Sequence, residues 1–152
     1  MRARIAIVCA LALVMLLPAT TLGASARTYH GVFTSGVISG CPTGVPDPAT
    51  MDIPMPAWGN WNVVIVGDRA EVHATVFADM GSGPIHVDSF GGVKDGSFVV
   101  MPPASGETFH VRIPSDAVYG NRIDFILRGT TLEFGITPYF DCASGTTWGA
   151  LR

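Results

Sequence analysis

The chain predicts an all-β fold: a single antiparallel β-barrel or β-sandwich of about 8–10 strands, with a Pro-rich strap after the first strand. Three observations carry this. Helical periodicity is weak beyond residue 26, and no window there joins an apolar stripe to a helix cap. Short β-branched and aromatic runs recur instead, punctuated by Gly, Pro and Asp. Strict alternation then runs through three successive segments. Phe109, Val111 and Ile113 oppose Thr108, His110 and Arg112; Ile123, Phe125 and Leu127 oppose Arg122, Asp124 and Arg128; Leu132, Phe134 and Ile136 oppose Thr131, Glu133 and Thr137. One dry and one wet face per strand is the antiparallel pattern, and the dry face has to be covered by folding over or by closing.

Residues 1–26 read as a secretory signal peptide. Arg2 and Arg4 precede an apolar run from Ile5 to Leu17, Pro18 ends it, and Ala24-Ser25-Ala26 is a small-residue cleavage site. The run falls short of the roughly 20 residues a membrane helix needs, and no later stretch is long enough, so no membrane span is expected in the mature chain. Residues 27–152 are left as one all-β domain. Removing the leader takes away two arginines and no carboxylate, so the formal charge moves from −3 to −5, with Lys94 the only lysine. Such a chain has no basic field for nucleic acid.

Strands are expected near 28–38, 61–67, 70–78, 85–92, 97–102, 107–113, 121–128, 131–138 and 146–151. Gly67-Asp68 and Asp95-Gly96 read as tight hairpins, and Arg128-Gly129-Thr130 as a further short reversal. The segment 41–59 holds Pro42, Pro46, Pro48, Pro54 and Pro56, which suits a strap or a poor edge strand around Thr50–Ile53.

Only Cys41 and Cys142 remain after the leader, and two cysteines in an exported chain point to one disulfide. That bridge constrains topology. In a simple meander the two cysteines would fall at opposite ends of strands about 17–20 Å long, beyond reach of a bridge. The 41–59 segment must therefore cross back, and the last strand can then run antiparallel beside the first.

Catalytic signatures are absent: there is no nucleophile elbow, no zinc-protease helix, no dinucleotide loop and no phosphate loop. The suggestive polar residues are two strand pairs, Glu71 with His73 and His86 with Asp88, each sharing a face. Met51 and Met55 are weak soft-metal candidates and read better as core filler. Trp58, Asn60, Trp61 and Asn62 close the proline-rich segment. Aromatic and amide side chains together suit a sugar or peptide, and in an extended chain the two indoles point to opposite faces.

The function expected is a non-enzymatic binding or interaction role for an exported domain, secreted or periplasmic, with no cofactor, no catalytic set and no metal site assigned. Its partner would be a small ligand, a glycan or a protein. One alternative is a hydrolase or metal-dependent enzyme built from Glu71, His73, His86 and Asp88; another is a secreted inhibitor presenting a rigid, exposed loop. His110 is expected to be solvated, and His110→Ala to change stability by no more than about 0.5 kcal/mol.

Overall fold

The computed structural model describes residues 24–44, 49–79, 87–89, 96–113 and 121–152, and all its regular structure is β. The strands are β1 (Arg27–Pro42), β2 (Thr50–Met55), β3 (Ala57–Val66), β4 (Arg69–Asp79), β5 (Val87–Ser89), β6 (Gly96–Met101), β7 (Phe109–Arg112), β8 (Arg122–Arg128), β9 (Thr131–Thr137) and β10 (Ser144–Leu151). Eight of them close an antiparallel barrel in the order β1-β3-β4-β6-β7-β8-β9-β10, with β10 returning to β1. The leader lies outside the described residues up to position 23, as do His86 and Asp95. The part of the expected 85–92 strand that is described is β5, paired to the far end of β4.

The turns act as their residues dictate. Gly67-Asp68 joins β3 to β4 with Gly67 at φ 61°, and Gly129-Thr130 joins β8 to β9 with Gly129 at φ 57°. Glycine takes this left-handed conformation without a Cβ clash. Each two-residue turn sets the register of the hairpin it closes.

Two strands extend four residues beyond their expected limits. β1 runs on to Pro42, so Cys41 lies within it. Its far half pairs with β2, Val37 standing opposite Pro54 and Cys41 opposite Met51. Its near half pairs with β3, Gly31 opposite Trp61 and Phe33 opposite Gly59. β2, Pro56 and β3 thus track β1 along its length, and the carbonyl of Pro56 still accepts from the Asp79 amide at 2.9 Å. Prolines 54 and 56 sit where the ladder tolerates a missing donor. β3 consequently starts at Ala57, four residues before the expected 61.

Closure is reinforced covalently. β1 and β10 pair from Gly31 opposite Leu151 to Ser39 opposite Ser144, and the Cys41–Cys142 disulfide joins the two strands at that end. The bridge spans 101 residues of sequence, a separation for which chain entropy assigns about 4–5 kcal/mol.

An eight-stranded barrel is just wide enough to be filled by side chains. Here aromatic rings fill it. Phe33 meets Phe134, Phe134 stacks on Phe125 with centroids 4.5 Å apart, and Phe125 meets the edge of Phe98. Trp61 is 2% exposed and lies across two glycines. A Cβ at Gly31 would sit 2.5 Å from its Cζ2, and one at Gly149 would sit 3.0 Å from its Nε1. The three alternating segments keep the faces assigned to them: Phe109, Val111, Ile113, Ile123, Phe125, Leu127, Leu132, Phe134 and Ile136 are all buried. Their opposite face carries Thr108, His110, Arg112, Arg122, Asp124, Arg128, Thr131, Glu133 and Thr137, the polar residues alternation assigned to it.

Phe125→Ala is expected to destabilise the domain by about 3–5 kcal/mol in chemical denaturation. Gly31→Ala, which drives a methyl into the indole and the Ala150 carbonyl, should lose about 1–3 kcal/mol by overpacking although it adds a single carbon. Thiol titration of the denatured, non-reduced protein should detect no reactive Cys41 or Cys142.

Candidate functional site

Because β3 begins at Ala57, Trp58 to Asn62 are strand residues. Alternation then sends Trp61 into the core and sets Trp58, Asn60 and Asn62 in a row on the outer wall. The Gly67-Asp68 turn determines what stands beside each of them on β4: Phe77 opposite Trp58, Thr75 opposite Asn60, His73 opposite Asn62 and Glu71 opposite Val64. Directly opposed side chains on one face are about 4.5–5.5 Å apart at Cβ, so each pair acts together.

The ladder is aromatic at one end and polar along its length. The Trp58 indole, 43% exposed, stacks on the Phe77 ring with centroids 6.0 Å apart and planes 18° apart. An open depression of about 330 Å³ lies beside it, lined by Asn60, Trp61, Asn62, His73, Ala74 and Thr75. Its walls are two amide groups, a hydroxyl and an imidazole, which together both donate and accept. At the far end His73 Nε2 lies 3.0 Å from Glu71 Oε1, both side chains about half exposed.

The two polar pairs read from the sequence fare differently. Glu71 and His73 are in contact. The backbone of Asp88 stands opposite Ala78, five residues along β4 from His73, and His86 lies outside the described residues. Among the described residues, no three His, Cys, Asp or Glu side chains are grouped to hold a metal ion. Met55 is buried in the core, and Met51 is exposed on β2.

A second polar group occupies the outer wall of β7, β8 and β9, and it corrects the expectation for His110. This side chain is only 15% exposed. Its Nε2 lies 2.7 Å from Asp124 Oδ1, and its Nδ1 lies 3.7 Å from Glu107 Oε2. Asp124 also accepts from Arg112 Nε at 2.6 Å on Oδ1, and its Oδ2 is ion-paired with Arg122 Nε at 3.0 Å. Glu107 is 4% exposed at its side chain; it accepts from the Ala104 amide at 2.8 Å and from Arg128 at 2.9 Å. Arg128 in turn reaches Glu133 at 3.0 Å. Alternation places His110, Arg112, Arg122, Asp124, Arg128 and Glu133 on the wet face, but it says nothing of Glu107, which precedes β7, and does not reveal that long charged neighbours roof over the short ones. Every carboxylate oxygen named here already faces a cation or a backbone amide. The arrangement ties β7, β8 and β9 together.

Comparison with known protein families, with curated proteins and with solved structures finds no match. The class of protein is thus defined by its architecture: a closed, side-chain-filled antiparallel barrel with a neutral aromatic–amide ladder on one flank and an ion network on another.

Asp124→Ala strands the His110 and Arg112 side chains over a partly closed wall and is expected to lose about 2–4 kcal/mol. His110→Ala should lose about 1.5–3 kcal/mol, the range for a hydrogen bond to a charged group, well above an ordinary surface change. Urea denaturation of both variants reads these values. Iodide should quench the Trp58 fluorescence and leave that of Trp61 untouched, so Trp58→Phe removes a quenchable component and Trp61→Phe an unquenchable one.

Proposed function

We propose that this domain is an exported, non-enzymatic glycan-binding module whose ligand lies along the outer face of β3 and β4. The observation that carries the reading is the solvent-exposed stack of Trp58 on Phe77, continued by the Asn60–Thr75 and Asn62–His73 pairs. A sugar ring offers an apolar C–H face and a rim of hydroxyls. The first matches the exposed indole, and the second matches amide groups that donate and accept at once. The platform is preorganised, because a strand pair positions each side chain and little entropy is lost on binding. A filled barrel interior supports an outer-face site over an enclosed one. The apolar leader and the disulfide support export, and the low charge of the ladder supports a neutral ligand over a charged one.

Binding is tested by electrophoresis through gels holding soluble polysaccharides (xylan, mixed-linkage β-glucan, galactomannan and dextran) and on an oligosaccharide array. Retardation by at least one glycan is expected, with Trp58→Ala weakening it about 30-fold, the effect of losing a central aromatic contact of about 2 kcal/mol. The melting temperature of Trp58→Ala should stay near the parent's. Absence of glycan binding, or binding indifferent to Trp58→Ala, overturns the reading.

A further inference from the structure

The turn between β9 and β10 displays an aromatic ring that the fold does not use. Tyr139 and Cys142 exchange both backbone hydrogen bonds, at 3.2 and 3.0 Å, leaving Phe140 and Asp141 as a two-residue tip. Phe140 has φ 47°, the one positive value at a non-glycine position among the described residues. A bulky side chain is rare there, since its Cβ crowds the following carbonyl, and a tight hairpin turn favours glycine or asparagine at such a site. The Phe140 ring is also 81% exposed, the most open large apolar side chain described. It touches Tyr139 edge-on at 4.7 Å and otherwise faces water. Backbone strain and an unburied phenyl both weigh against folding at one residue. Strain of this kind persists where surrounding structure enforces it, and it gathers at functional positions.

The surroundings do enforce it. Tyr139 is 8% exposed, and its ring occupies the space a Cβ would take at Gly145, 3.0 Å away. Cys142 is bonded to Cys41 of β1. Behind it Gly40 packs so tightly on Ala143 that a Cβ there would come within 2.7 Å. The tip is a stiff projection from the stapled end of the barrel.

We infer that Phe140 is an anchor residue that inserts into an apolar pocket of a partner protein, and that the pocket carries basic side chains at its rim. The rim follows from charge. Asp141 is exposed beside the ring, and Asp52, whose carboxylate accepts from the Gly40 amide at 3.2 Å, lies on the same end of the barrel. Met51, exposed on β2 opposite Cys41, widens the apolar patch. Two carboxylates around the apolar knob oppose docking on an anionic bilayer and favour a cationic protein rim. A rigid aromatic that is already in place loses little freedom on insertion, which is the property of interface hot spots. This surface shares no residue with the β3–β4 ladder and does not depend on it.

The test has a stability arm and a binding arm. Phe140→Gly and Phe140→Asn should leave the melting temperature unchanged or raised; a fall of more than about 3 °C in both would show that the ring serves the fold and would sink the proposal. For binding, the full chain carrying the photoreactive p-benzoylphenylalanine at position 140 is irradiated in the native extracellular or periplasmic extract. The expected product is one discrete protein adduct, suppressed by excess unmodified protein, unsuppressed by the same excess of Phe140→Gly, and suppressed at least tenfold less well by Asp141→Lys. No adduct, an adduct that Phe140→Gly suppresses equally, or an adduct of twice the chain's mass overturns the inference. So does Phe140-dependent sedimentation with phosphatidylglycerol–phosphatidylcholine vesicles. Trp58→Ala should leave the adduct intact, which separates this surface from the glycan platform.

Discussion

The pairing of β1 with β10 is the constraint on which the rest depends. It turns an open sheet into a ring of eight strands, and in doing so sets the width of the interior. That width is filled by Phe33, Phe98, Phe125, Phe134 and Trp61, and it admits the indole only because Gly31 and Gly149 offer bare backbone beneath it. Cys41 lies on β1 and Cys142 in the turn that leads into β10, so the covalent bond fastens one end of the seam that the hydrogen-bond ladder holds. A barrel closed and filled in this way meets other molecules through its outer surface.

That surface is divided by charge. Around Trp58 to Asn62 of β3 and their partners on β4 the outward side chains are an indole, a phenyl, two amides and a hydroxyl, followed by the Glu71–His73 pair and then Val64, Val66 and Arg69. Around β7, β8 and β9 they are three arginines, three carboxylates and a histidine, satisfied by one another. The ion network exchanges its hydrogen-bonding capacity internally and stiffens the wall. The ladder keeps much of its capacity turned to solvent. The two flanks share a backbone geometry and differ only in which side chains alternation sends outward.

Much of this was legible in the residues. Period-two alternation assigned the faces of β7, β8 and β9, and the position of two cysteines required the crossing back that closes the ring. The outward partners of Trp58 were also within reach. Counting outward from Gly67-Asp68 pairs Trp58 with Phe77, and counting from Gly129-Thr130 pairs Asp124 with Gly135. What hid the first was the start of β3. Five prolines before Ala57 argue for a strap, whereas Pro54 and Pro56 are accommodated in a strand that follows β1. What hid the ion network was its diagonal reach: His110 stands opposite Ile126, yet its ring bonds Asp124 two residues away. Phe140 was hidden because turn chemistry names the residues that favour a left-handed position, and a phenylalanine there contradicts the rule.

The β2 strand has a consequence for how molecules of this protein meet one another. Closure removes free edges from the barrel itself, but β2 is paired only to β1 among the described residues, so one short edge is restored beside the disulfide. An open edge of that kind invites a second chain to add a strand, the first step of sheet-to-sheet aggregation. Pro54, in the middle of β2 and opposite Val37, removes a donor from that edge, and Pro56 bounds it. Proline is accepted in a ladder where its missing N–H faces away from the neighbour, so the gap falls on the outward side. The prolines that make this segment read so poorly as a strand are thus what keep the strand from propagating into its neighbours' sheets.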